Sequence, residues 1–149
     1  MISITFGTES GNSEMAADDM AAYIQERGIN AEIIPMEDFS VSDLPNAHKL
    51  IVITSTYGEG ELPETTAPFY AALLSDSPDL SAVQFAAFGL GDSTYETYGN
   101  GIDLVAAKLS ELGARQVGDT GRHDAAKGEA LSDVATNWIE CILPLLNKA

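Results

Sequence analysis

The sequence is poor in cysteine and has no long hydrophobic run. Cys141 is the one cysteine among 149 residues, so neither an intramolecular disulfide nor a metal site built from several cysteines can form. No stretch reaches the roughly 18 consecutive apolar residues that a membrane-spanning helix requires. The N-terminus lacks the basic segment and apolar run of a secretory signal. We therefore expect a soluble cytoplasmic protein without a membrane anchor, in which Cys141 is buried packing within an apolar helical stretch.

Positive charge is also scarce. The chain has 7 Lys and Arg against 23 Asp and Glu, which gives a formal net charge of −16. Nucleic-acid binding requires a basic footprint for the phosphates, so this composition excludes it. A strongly acidic domain can instead attract basic protein partners in a salt-sensitive way. Solubility alone or a saline habitat would explain the charge equally well, and the charge by itself does not decide among the three.

What the sequence does contain is a regular alternation of strand-like and helix-like segments. Apolar, β-branched segments predict strands at residues 2–6, 31–34, 49–54, 83–89 and 115–117. Helical spacing predicts helices at residues 14–27, 66–74, 100–112 and 130–146, with Gly28 and Gly113 as terminating residues. Parallel strands need crossover connections that pack as helices on the sheet. The alternation therefore predicts one α/β domain over residues 1–149, with a five-stranded parallel sheet between two helix layers.

The turn after the first predicted strand carries the first functional signal. Residues 7–13 contain three hydroxyl side chains, an amide and two glycines, and they contain no Lys or Arg. Unpaired N–H groups and the macrodipole make a helix N-terminus a site for phosphate. Triphosphate-binding loops normally add a Lys in the pattern G-x-x-x-x-G-K-[ST], which is absent here. The turn therefore predicts a site for the phosphate monoester of a mononucleotide.

Two further loops follow the third and fourth predicted strands, at residues 55–64 and 89–100. Both combine glycines with tyrosines. Ligands of parallel α/β sheets bind at the carboxyl ends of the strands, so all three loops should meet at one edge. Tyr57 and Tyr95, from separate loops, could hold a flat heteroaromatic ring between them, with Tyr98 as support.

In their order and position these loops resemble those of the flavodoxin family, especially its short-chain form and the FMN domains of diflavin reductases. The resemblance covers nearly the whole chain and implies a flavodoxin-like fold with strand order 2-1-3-4-5. It implies FMN as the cofactor, with the isoalloxazine ring between Tyr57 and Tyr95. The peptide between Gly58 and Glu59 would change its hydrogen bond to flavin N5 with redox state. The implied cofactor-binding residues are Thr8, Glu9, Ser10, Gly11, Asn12, Ser13, Ser55, Thr56, Tyr57, Gly58, Glu59, Gly60, Leu90, Gly91, Asp92, Tyr95, Tyr98, Gly99, Asn100 and Asp124.

Three other residues whose side chains could take part in chemistry are expected to have structural roles only. Trp138 lies in the last predicted helix, where core packing is the expected role. His48 and His123 have no second ligand at metal-binding spacing and are expected at the surface, so no metal site is predicted. A phospho-acceptor signalling domain of the same topology needs acidic residues after the first strand and at the end of the third. Residues 7–8 and 54–55 are not acidic, which argues against that function.

The function that the resemblance implies is electron transport without catalysis of its own. A monomeric FMN protein would shuttle single electrons from a basic-surfaced flavoprotein reductase to redox enzymes, and acidic loops would dock both. The alternative is an FMN-dependent quinone or NADPH reductase on the same fold, for which we find no segment that would form the substrate pocket. A domain excised from a diflavin reductase is also possible. Met1 immediately before the first strand and an end soon after Leu146 favour a free-standing protein.

Overall fold

A computed structural model of the chain describes residues 1–7, 11–56, 62–92, 94 and 99–146. The strands are β1 (Ile2–Gly7), β2 (Ala31–Pro35), β3 (Lys49–Ser55), β4 (Gln84–Gly91), β5 (Arg115–Gln116) and β6 (Gly121–Asp124). The α-helices are α1 (Asn12–Glu26), α2 (Thr66–Asp76), α3 (Asn100–Glu111) and α4 (Leu131–Leu146). Short 3-10 helices occupy Met36–Asp38, Val41–Asn46 and Ala125–Lys127.

The sheet is parallel and runs in the order β2-β1-β3-β4-β5, which confirms the predicted fold and strand order. Its fifth position is divided between two short strands. Arg115 of β5 pairs with Gln84 near the start of β4, whereas Gly121 of β6 pairs with Phe88 further along the same strand. Gly118, with a φ of 68°, lies in the break between the two strands. The outer strand thus reaches the carboxyl edge of the sheet through a segment that the sequence did not predict as a strand.

Each face of the sheet has its own hydrophobic core. Successive side chains of a strand point to opposite faces, so β3 contributes to both. Ile51 and Ile53 pack in the cluster that contains residues of α1 and α4. Leu50 and Val52 pack in the cluster that contains residues of α2 and α3. All four side chains are fully buried, as expected for a parallel strand covered by helices on both sides.

The predicted helix ends agree with the backbone geometry. Gly28 follows α1 with a φ of 79°, and its N–H donates to the carbonyl of Gln25 at 3.0 Å. Gly113 follows α3 with a φ of 109°. Residues in this left-handed conformation close a helix with little strain only when they lack a side chain. Within the described residues, no helix combines the length and apolar character needed to cross a bilayer.

The prediction that Cys141 is buried is wrong, whereas Trp138 packs against the core as expected. Cys141 is exposed on α4, because the buried face of this helix passes through Ile139 and Ile142. A helix turns about 100° per residue, so Cys141 lies about 200° from Ile139 and points away from the sheet. The Trp138 ring is partly buried, 5.2 Å from the ring of Phe88, and its Nε1 donates to the Asp119 carbonyl at 3.3 Å.

Candidate functional site

The carboxyl ends of four neighbouring strands meet at one edge of the sheet. Gly7 of β1 is in register with Thr54 of β3. Ser55 pairs with Leu90 of β4, and Gly91 at the end of β4 pairs with Asp124 at the end of β6. The three glycine- and hydroxyl-rich loops therefore leave the sheet side by side, which is the placement that the sequence predicted.

The N-terminus of α1 has a buried hydroxyl without a partner. Gly11 precedes the helix in the left-handed conformation, with a φ of 88°, and among the described residues no side chain caps the helix. Ser13 is fully buried, and its Oγ has no hydrogen-bond partner among the described residues. A buried polar atom left without a partner costs about 1–3 kcal/mol, so the site favours a ligand that accepts this hydrogen bond. Asn12 beside it is exposed.

The connection between β3 and α2 is fastened at both of its ends. Thr54 at the end of β3 and Thr66 at the start of α2 are fully buried, and their hydroxyl oxygens lie 2.7 Å apart. Gly7 passes so close to Thr66 that a Cβ at position 7 would collide with the threonine hydroxyl and with Met36. The hydroxyl pair therefore fixes the two points from which the second loop extends.

Thr56 connects the second loop to β4 and to α3. Its backbone N–H donates to the Leu90 carbonyl at 3.1 Å, and its Oγ1 accepts the N–H of Gly101 at 2.8 Å. A Cβ at position 101 would lie 2.6 Å from the Ser55 carbonyl oxygen, so this close approach requires glycine. The bond between Thr56 and Gly101 spans 45 residues and brings the second and third loops together.

The third loop begins in the core and ends at the first turn of α3. The Leu90 side chain is only 6% exposed and packs in a core cluster, so its contribution to a ligand must come from the backbone. Asp92 Oδ1 accepts the backbone N–H of Thr94 at 2.9 Å and the Thr94 hydroxyl at 2.6 Å, which makes a tight local turn. Gly99 precedes α3 in the left-handed conformation, with a φ of 77°.

Asp124 and a neighbouring ion pair form the outer border of the site. Asp124 is 7% exposed, and its Oδ1 accepts the N–H of Ala126 at 3.0 Å, which caps the following 3-10 helix. Two residues earlier, Arg122 Nη2 donates to Asp103 Oδ1 at 2.6 Å. No local pattern in the sequence predicts this ion pair, because its members lie 19 residues apart in different elements.

Eleven of the twenty predicted cofactor-binding residues are described, and all eleven lie at this edge of the sheet. They are Gly11, Asn12, Ser13, Ser55, Thr56, Leu90, Gly91, Asp92, Gly99, Asn100 and Asp124. Outside the described residues lie Thr8, Glu9, Ser10, Tyr57, Gly58, Glu59, Gly60, Tyr95 and Tyr98. The stacking of a ring between Tyr57 and Tyr95 therefore stays a prediction.

The chemistry of the described site residues suits binding more than bond-making. Their side chains offer hydroxyl, amide and carboxylate groups, and their glycines allow a ligand to approach the backbone. In the ranges that the structure describes, no cluster of three or more His, Cys, Asp or Glu could hold a metal ion. His48 is exposed, and His123 Nε2 lies 2.7 Å from the Glu129 carbonyl. These side chains and glycines would suit a ligand with a phosphate at the N-terminus of α1 and a flat ring farther along the carboxyl edge of the sheet.

The sequence matches the family model described as Flavodoxin over residues 4–138. Among curated proteins, the chain is 35% identical over 147 residues to Protein MioC of Escherichia coli strain K12, with 97% of each protein covered. It is 33% identical to NADPH-dependent diflavin oxidoreductase 1 of Cryptococcus neoformans, over 95% of this chain but 24% of that enzyme.

A solved structure supports the same relationship. The chain superposes on a variant of the flavodoxin from Pseudomonas aeruginosa with a TM-score of 0.89 and 29% sequence identity. The match covers 99% of both chains. The similarity therefore extends over nearly the whole length of the chain.

Proposed function

The chain belongs to the flavodoxin family, whose cofactor is FMN, and we propose that it carries single electrons from a flavoprotein reductase to redox enzymes. Bound FMN supplies the chemistry, since the flavin can take up and release one or two electrons. The residues of this chain bind the cofactor, orient it and set its electrostatic surroundings.

The observation that carries the proposal is the unpartnered Ser13 hydroxyl at the N-terminus of α1. This hydroxyl is fully buried and lacks a partner within the described residues, and Gly11 at the start of the helix has the left-handed conformation. A phosphate oxygen supplies the missing acceptor, and the helix dipole favours its negative charge. We assign the FMN phosphate to this N-terminus, with Thr8, Ser10 and Asn12 as the other side-chain donors.

The ring of the cofactor is assigned to the second and third loops. Thr56, Gly99 and Asn100 lie where these two loops meet, and Gly101 allows the loops to approach closely. In this assignment Tyr57 and Tyr95 cover the two faces of the ring and exclude water from it. The peptide between Gly58 and Glu59 offers its hydrogen-bonding groups to flavin N5.

Acidic side chains near the site support docking to a basic partner. Glu14 and Asp133 lie in the first turns of α1 and α4, and both helices begin at the carboxyl edge of the sheet. Acidic residues stabilise helix N-termini, and here they also add negative charge to the edge of the sheet that is proposed to hold the flavin. Such a field accelerates encounter with a positively charged reductase and disfavours like-charged partners.

Anaerobic reduction of the FMN-loaded protein distinguishes a carrier from an enzyme. A carrier should stay oxidised when NADPH or a quinol is added alone, and it should be reduced when a flavoprotein reductase is added with NADPH. The reduced protein should then pass electrons to a basic haem protein such as cytochrome c. Steady NADPH oxidation by the purified protein without a reductase would instead support the FMN-dependent reductase function.

A further inference from the structure

Arg122 borders the candidate site but belongs to none of its three loops. It lies in β6, and its guanidinium Nη2 donates to Asp103 Oδ1 at 2.6 Å. Asp103 is in the first turn of α3. The ion pair therefore fastens the outermost strand at the carboxyl edge to the helix whose N-terminus contributes to the site.

The same guanidinium also packs against the chain just before α3. A Cβ at position 99 would collide with Arg122 Nη1. Gly99 in addition has a φ of 77°, a conformation that residues with a side chain rarely adopt. The absence of a side chain at position 99 thus allows Arg122 to reach over the backbone and bind Asp103.

A second contact holds the same turn of α3 from the opposite direction. The N–H of Gly101 donates to Thr56 Oγ1 at 2.8 Å, which ties the turn to the end of β3. Residues 99–103 are therefore held by β6 on one side and by Thr56 of the second loop on the other. Gly99 and Asn100, two of the predicted FMN contacts, immediately precede these two attachments in the chain.

We propose that Arg122 and Asp103 are positioning residues for the cofactor, an inference that rests on the proposed FMN function. Their ion pair fixes the first turn of α3, so that Gly99 and Asn100 are already in place when FMN binds. A binding site ordered in advance loses less conformational entropy on association and binds more tightly. The two side chains are 33% and 54% exposed, so their ion pair should affect global stability only weakly.

Two substitutions with opposite charge changes separate positioning from a simple electrostatic effect. R122Q makes the site more negative by one charge and D103N makes it less negative by one charge, yet both break the ion pair. Positioning predicts that each variant raises the FMN dissociation constant about three- to tenfold. The double variant R122Q/D103N should bind about as weakly as the weaker single variant, because the pair is lost only once.

R122K should recover part of the affinity that R122Q loses, since Lys restores a positive charge and a donor near Asp103. The matched controls are R115Q and D43N, which alter exposed residues outside the candidate site. Both controls should bind FMN as the wild type does. The melting temperatures of the apo variants should stay within about 4 °C of the wild type, which shows that the effect is not a general loss of stability.

Opposite shifts in FMN affinity for R122Q and D103N would overturn the inference in favour of a charge effect alone. Affinities equal to those of the controls would overturn it as well. If R122Q fails to fold, the FMN affinities of D103N and R122K are compared with those of the two controls instead. If the wild type and all the variants bind FMN equally well, only this inference is refuted. If the wild type binds no FMN, the proposed function is refuted as well.

Discussion

At the scale of the single residue, Ser13 is both part of the buried first turn of α1 and part of the proposed phosphate site. The residue occupies the first turn of α1 and has no exposed surface, so its hydroxyl cannot be satisfied by bulk water. An alanine there would remove a buried, unpartnered polar atom from the described part of the apo protein. The presence of serine therefore makes physical sense if a ligand completes its hydrogen bonding.

S13A should accordingly weaken FMN binding without destabilising the apo protein. One hydrogen bond to a charged phosphate contributes about 1.5–3 kcal/mol, which corresponds to a dissociation constant raised about 10- to 150-fold. The apo variant should unfold at the same urea concentration as the wild type or at a higher one. Fluorescence titration of FMN and urea unfolding measure the two effects, with exposed Ser110→Ala as the control. Unchanged FMN affinity in S13A would remove this residue from the site.

G101A tests the close contact between the second and third loops. The added Cβ would lie 2.6 Å from the Ser55 carbonyl oxygen, so the Thr56 to Gly101 hydrogen bond must lengthen or break. We expect a loss of about 1–3 kcal/mol of unfolding free energy together with weaker FMN binding.

The control for G101A is G28A, at a position where a Cβ would meet no atom within 4 Å. Gly28 has a φ of 79°, so alanine there costs about 1–2 kcal/mol through backbone strain alone. G28A should therefore lower stability and leave FMN affinity unchanged. Equal effects of the two substitutions on FMN binding would contradict the assigned role of Gly101.

At the scale of the element, two substitutions in α4 test which face of this helix is buried. Ile139 is fully buried in the core, and Cys141, two residues later, is exposed. I139A should lower the unfolding free energy by about 2–5 kcal/mol because it leaves a cavity. C141A should change it by less than about 0.5 kcal/mol. Urea unfolding monitored by circular dichroism measures both, and a costly C141A or a harmless I139A would show that the register is wrong.

The elements that the sequence predicted are those with a strong local pattern. The β-branched run of β3 and the helical spacing of α1 and α3 fixed those elements to within about two residues, as expected for periodic segments. β6 escaped prediction because the residues Gly121–Asp124 contain no apolar alternation. Pairing with β4 holds this strand in place, and the rings of Phe88 and Trp138 pack close over Gly121. Because β6 depends on these contacts with other elements, its own residues carry no pattern that predicts a strand.

In the candidate site, too, local features were predictable and long-range contacts were not. Its three loops were predictable, because glycines, hydroxyls and tyrosines follow three strand ends that parallel topology places together. The contacts that fasten the loops were not. The bond from Thr56 to Gly101 and the ion pair of Arg122 with Asp103 join residues far apart in sequence, and no local spacing indicates such partners.

At the scale of the whole molecule, the net charge of −16 predicts salt-sensitive electron transfer. Reduction of the FMN-loaded protein by a basic reductase should slow about tenfold as salt rises from about 0.05 to 0.5 M, since salt screens the long-range attraction. E14Q/D133N should weaken this salt dependence, because it removes two charges at the proposed docking edge. Stopped-flow reduction at several salt concentrations measures the slope. A rate that does not depend on salt would contradict docking through acidic side chains.

The measurement that tests the central claim most directly is calorimetric titration of the apo protein with FMN and, separately, with riboflavin. The account predicts one FMN per chain and affinity weaker by at least about tenfold for riboflavin, which lacks the phosphate assigned to Ser13 and the N-terminus of α1. Equal affinity for the two ligands would contradict the phosphate site. No binding of FMN at millimolar concentration would contradict the assignment of this chain as an FMN electron carrier.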